Sequence, residues 1–160
     1  MDSSELEGLH AKLRMIGLLM CVIVPVALVI LIWAVIQPAD SEGSVKAVDW
    51  TFIWILTGMA VVEPIVGYFV RKRMLDVDAI LTRCGNDARN ISPAILAAHI
   101  VGFAFALSPA LFGLVIHLVA HNAVLATVLI CVAPLAFLFY RPTESSVIDL
   151  AREVNTKLVR

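Results

Sequence analysis

An all-α integral membrane protein, folded as an antiparallel bundle of four spanning helices, is the architecture this sequence predicts. Of its 160 residues, 61% are apolar and 16% charged, against about 45–50% and 25% in soluble domains. A chain this short has too little interior to hide so much apolar surface from water, and lipid is the solvent that accommodates it. The apolar residues also fall into four blocks that exclude nearly every charge. Each block approaches the ~20 helical residues needed to cross a hydrocarbon core about 30 Å thick.

The first block, 15–36, runs from Met15 to Ile36 without a charge. Its leader holds Asp2, Glu5 and Glu7, unlike the basic leader and shorter core of a signal peptide, so the block reads as a retained span. The second, 50–70, contains a single charge, Glu63. The third, 93–117, opens at Asn90-Ile91-Ser92-Pro93, with proline placed for a first helical turn. A polar break, His117–Asn122, has the length of an antiparallel helix connection and separates it from the fourth block, 123–140. Residues 1–160 therefore form one transmembrane domain, with an amphipathic tail over 143–160. In that tail Ser146-Val147-Ile148-Asp149 has capping-box form, and Val147, Ala151, Val154 and Leu158 recur at helical spacing. Leu75, Ile80 and Leu81 predict that the second span continues as a helix past Arg73 until Gly85-Asn86 stops it.

Orientation follows from the basic residues of the short connections. Lys12 and Arg14 precede the first span. Arg71, Lys72, Arg73, Arg83 and Arg89 follow the second, and Arg141, Arg152, Lys157 and Arg160 follow the fourth. Lys46 stands alone on the other side. Both termini and the second connection are thus expected in the cytoplasm, in a membrane of the bacterial cytoplasmic type. Trp33, Trp50 and Trp54 cluster at the outer ends of the first two spans, and Tyr68 and Tyr140 lie near the inner ends, as amphipathic rings at an interface would.

Val62-Glu63-Pro64 is followed by Arg71, and Val132-Ala133-Pro134 by Arg141, at the same offset. This correspondence suggests two tandem hairpins. Each span holds an interior proline: Pro25, Pro64, Pro109 and Pro134. A proline frees the carbonyl four residues before it, here those of Cys21, Ala60, Phe105 and Ile130. In lipid such a carbonyl needs a neighbouring helix, a hydroxyl or water. The prolines read either as kinks that shape the bundle or as the lining of a hydrated path. On the third span Ala94, Ala98, Gly102, Ala106 and Ala110 recur every four residues, a ridge of small side chains that lets helix backbones approach closely.

Few residues suit chemistry. Glu63 lies about three residues from the middle of its span, ~5 Å from the midplane at about 1.5 Å per residue. An ionised carboxylate there costs from about 3 kcal/mol upward unless paired or hydrated. It reads either as a proton or ion carrier or as structural glue. His99, in the inner third of the third span, is its candidate partner at matching depth. His117 and His121 stand one turn apart without a third ligand, short of what zinc requires. Cys21, Cys84 and Cys131 show no metal spacing, and a disulfide framework is not expected. No metal or other cofactor is called for. No G-x-S-x-G, H-E-x-x-H or phosphate loop is present, and nothing marks a nucleic-acid binder.

Two segments resemble the hairpins of the rotary ATPase proteolipid family, the c subunits. Gly58-Met-Ala-Val-Val-Glu63-Pro-Ile-Val-Gly67-Tyr68 is similar to that family's carboxylate-bearing helix. Phe105-Ala-Leu-Ser-Pro-Ala-Leu-Phe-Gly113-Leu114 is similar to the same stretch with Ser108 near the carboxylate position. The resemblance covers about 20 residues and implies Glu63 as an ion-carrying carboxylate. The chain departs from that family in three respects: its first span has no glycine-rich ridge, its first loop has no Arg-Gln-Pro type signature, and its basic residues place that loop outside. The function expected is a non-enzymatic accessory, assembly or structural subunit of a membrane complex. Its partners are the bilayer and other membrane subunits or a second copy of itself. The alternative is a proton or ion pathway through Glu63.

Overall fold

The computed structural model describes residues 3–36, 50–85 and 87–158. Lys46, Arg160 and Asn86 lie outside the described residues. Among the described residues all regular structure is helical. Four helices are long and apolar enough to cross a membrane: Glu7–Ala34, Trp50–Met74, Ile91–Ala120 and Ala123–Tyr140.

The first of these is not a plain α-helix. α1 (Ser3–Leu18) passes through a π-turn, Leu19–Ile23, into α2 (Val24–Leu31) and a second π-turn, Ile32–Ile36. The first π-turn is the response to Pro25. Val24 donates to the Leu19 carbonyl, five residues back, so the backbone re-pairs around the missing proline N–H. α3 (Trp50–Met74) keeps its α-helical form through Pro64. It does not continue to Gly85 as the spacing predicts: the chain turns at Leu75 and Asp76, and a separate α4 (Val77–Cys84) begins. Asp76 is extended, with φ −64° and ψ 136°, and Gly85 closes α4 in the left-handed region at φ 57°. The break lets α4 fold back and bury Val77, Ile80 and Cys84, which a straight extension of α3 would carry away from the protein. α5 (Ile91–Ala120) outruns the predicted third span at both ends. Only His121 and Asn122 then separate it from α6 (Ala123–Tyr140). His121 takes up the left-handed conformation and the Asn122 side chain accepts from the Leu125 N–H at 2.9 Å, a side-chain N-cap.

α7 (Glu144–Leu158) begins before the predicted capping box, so Ser146 lies inside the helix and its hydroxyl donates to the Thr143 carbonyl. Val147, Ala151 and Val154 form its buried face. That face meets Leu9 and Leu13 of α1, Val77, Ile80 and Cys84 of α4, and Ile91 and Ile95 of α5 in one apolar cluster. The start of the chain, the second connection and the tail therefore gather at one end.

α5 is the central helix. It packs extensively on α6 and on α3, while the α1–α2 helix lies against both α5 and α6. Among the described residues the first and second long helices make no extensive contact with each other. The matched arginines differ. Arg71 is half-buried within α3, whereas Arg141 is exposed beyond the end of α6. At the end opposite the tail, Trp33 Nε1 donates to Thr127 Oγ1 at 2.8 Å and ties the first long helix to α6.

Cys84 is only 2% exposed, and burial with the nearby Asp87 carboxylate pushes its thiol pKa up. A raised value means less thiolate at neutral pH. Maleimide should therefore modify Cys84 slowly near pH 7 and faster as pH rises. A cysteine at the exposed Thr82 position, in a Cys84→Ser background, should react at the rate of a free thiol. Mass-shift labelling over a pH series checks both rates.

Candidate functional site

Arg71, Tyr140 and Gly67 come together near the basic end of α3, where α3, α5 and α6 meet. Gly67 on the inward face of α3 makes this possible. A Cβ there would collide with Phe105 of α5 and would stand 2.9 Å from the Tyr140 hydroxyl. Tyr140, at the end of α6, is 1% exposed and donates its hydroxyl to the carbonyl of Pro64. It is thus an internal cross-link between α6 and α3, not the interfacial ring its position in the sequence suggests. The Arg71 guanidinium lies over the Tyr140 ring, 5.7 Å from its centroid, within cation–π range. Arg71 Nε is buried with no hydrogen-bond partner among the described residues. Gly102 of α5 supplies the space for both side chains: a Cβ there would stand 2.7 Å from Arg71 Cδ and 2.9 Å from Tyr140 Cδ1.

His99 lies on α5 three residues before Gly102. It is 2% exposed. Its Nδ1 lies 2.9 Å from the Ile95 carbonyl oxygen, an acceptor only, so that nitrogen carries the proton. Glu63 is half-buried on one flank of α3's inward face, and no hydrogen bond or ion pair joins it to His99 or to any other described residue. Among the described residues no hydrogen bond or ion pair joins Glu63, His99 and Arg71 to one another.

The other sequence-picked residues divide between packing and backbone repair. Ala98, Ala106 and Ala110 are fully buried, Gly102 is buried and Ala94 half-buried. Ala106 meets Cys21, Ala136 and Phe137, and Ala110 meets Ile32, Ala126 and Ala133, so this ridge is covered by the chain's own α1–α2 helix and α6. Of the freed carbonyls, that of Phe105 accepts from the Ser108 hydroxyl at 2.8 Å, one residue before Pro109. Pro25 and Pro109 are buried, and Pro64 and Pro134 half-buried. His117 is buried and His121 exposed, their rings 6.5 Å apart and edge to face. Among the described residues no three His, Cys, Asp or Glu side chains are grouped to hold a metal ion.

Arg71, Tyr140 and Gly67 are absent from the sequence-based candidates. Arg71 and Tyr140 are 69 positions apart in the chain, and only the packing of α3 against α6 makes them neighbours. The one signal was the Pro64–Arg71 spacing, noticed as half of a repeat. No family model, curated protein or solved structure matches the chain.

Proposed function

We propose that this chain is a non-enzymatic accessory or assembly subunit of a membrane complex. Its four long helices cross the bilayer in alternating directions, with both ends on the cytoplasmic side. The gathering of the N-terminal helix, α4 and α7 at the basic end, with the tryptophans toward the other, supports that orientation.

The observation that carries the subunit role is Glu63. It lies deep in α3 with no partner among the described residues, on a helix whose outer surface is left uncovered. Met59, Val66 and Val70 stand within two turns of Glu63 on the same side of α3, and all three are exposed. The small-residue ridge of α5 is already used within the chain, which leaves this flank of α3 for a partner. The occupant is a transmembrane helix of another subunit that offers a hydrogen-bond donor to the carboxylate. An interhelical bond of this kind contributes about 0.6 kcal/mol on average and up to about 1.7.

A photo-crosslinking amino acid at Val66 tests this in membranes. A single crosslinked partner is expected, retained in Glu63→Gln and reduced about three- to eighteen-fold in Glu63→Leu. Crosslinks to lipid alone in every background would sink the reading. If Glu63→Gln keeps the partner but abolishes proton flux in proteoliposomes, the ion pathway replaces it.

A further inference from the structure

Two cavities run together along the basic end of α3. One, of about 820 Å³, is lined by Arg71, Lys72 and Arg73 together with Tyr68, Phe69 and Asp76. The other, of about 350 Å³, lies between α3 and α6 against Ile65, Ala136 and Phe139, and its lining is wholly apolar. Tyr68 and Phe69 border both, so a basic chamber and an apolar groove lie side by side. Three cations face a single carboxylate, Asp76, and none of the three forms an ion pair among the described residues. Arg71 is held over Tyr140, a fixed guanidinium on the chamber wall, while Lys72 and Arg73 are exposed.

We infer that this joined cavity binds an anionic phospholipid. Its phosphate is held by Arg71, Lys72 and Arg73, and one acyl chain lies in the groove between α3 and α6. The charge pattern fits a phosphodiester, which guanidinium groups engage through paired hydrogen bonds. On the membrane reading above, on which this inference rests, the last turn of α3 lies at the headgroup level. Basic pockets between spans on that side hold anionic headgroups. The adjoining groove distinguishes a lipid from a soluble phosphate, because only a molecule with a hydrocarbon tail fills both parts.

The test uses the purified full chain in phosphatidylcholine nanodiscs containing a minor fraction of phosphatidylglycerol with a photoactivatable acyl chain. Covalent label is expected on the peptides around Ile65–Phe69 and Ala136–Phe139. The Lys72→Gln/Arg73→Gln variant changes only exposed side chains, leaves Arg71 in place, and should reduce label about thirtyfold. Excess inorganic phosphate should not compete. Equal labelling by a photoactivatable phosphatidylcholine, an unchanged signal in the double variant, or label scattered over all four long helices would each overturn the inference. Full competition by inorganic phosphate would also overturn it, making the chamber a site for a soluble anion. A protein that fails to enter nanodiscs at all refutes the membrane reading itself, an outcome distinguishable from loss of lipid selectivity.

Discussion

Gly113→Ala should lower the thermal midpoint of the detergent-solubilised protein, although alanine is the better helix former. In an unconstrained helix this change stabilises by about 0.5–1 kcal/mol. At Gly113 the new Cβ would stand 2.6 Å from the Ala126 carbonyl oxygen and 3.3 Å from the Ile130 nitrogen. Both belong to the backbone of α6 and cannot swing aside, so α5 and α6 must separate. Overpacking of this kind costs about 1–3 kcal/mol, enough to reverse the sign of the helix-propensity gain. Gly58→Ala is the matched control, because nothing lies within 4 Å of a Cβ there. It should be neutral or raise the midpoint. Equal shifts in the two variants would mean that α5 and α6 do not approach as closely as described.

The second large effect belongs to Tyr140. Tyr140→Ala removes a ring that is 1% exposed and leaves space beside Gly102 and beneath Arg71. Large aromatic truncations in a core cost about 3–5 kcal/mol. Tyr140→Phe keeps the ring and the cation–π contact and loses only the hydroxyl given to the Pro64 carbonyl. That interhelical bond accounts for about 0.6–1.7 kcal/mol. Unfolding in mixed micelles should therefore rank wild type, Tyr140→Phe and Tyr140→Ala in that order, with the second step the larger. A Tyr140→Phe variant as unstable as Tyr140→Ala would place most of the stabilisation in the hydroxyl.

The four long helices were legible because a charge-free run of this length has few ways to satisfy its backbone in lipid other than a helix. Their ends were harder to read. Leu9 and Leu13 lie before the first apolar block, and their burial depends on α4 and α7 arriving beside them. No local signal in the leader reports that. The break at Leu75–Asp76 was hidden for a different reason: Val77, Ile80 and Cys84 present the same helical spacing whether α4 continues α3 or folds back. Glu63 and His99 were found because a polar residue in an apolar block is conspicuous. Their separation was not, since depth along two helices says nothing of rotation about them. Gly67 and Gly113 stood out only as parts of a family resemblance, whereas Gly102 marked a packing position because it falls on the four-residue ridge. At Gly113 the nearest neighbour of a Cβ would be a backbone carbonyl on α6.

The apolar cluster that joins Leu9 and Leu13 to Val147, Ala151 and Val154 imposes an order on biogenesis. α7 is synthesised after all four long helices, so Leu9 and Leu13 of α1 wait without that cover until it emerges. Closure of that end is then a late event, delayed by the long sequence separation of its two halves. A nascent chain interrupted before α7 would leave an apolar patch on α1, α4 and α5 uncovered, and exposed apolar surface of this kind makes a chain prone to aggregate.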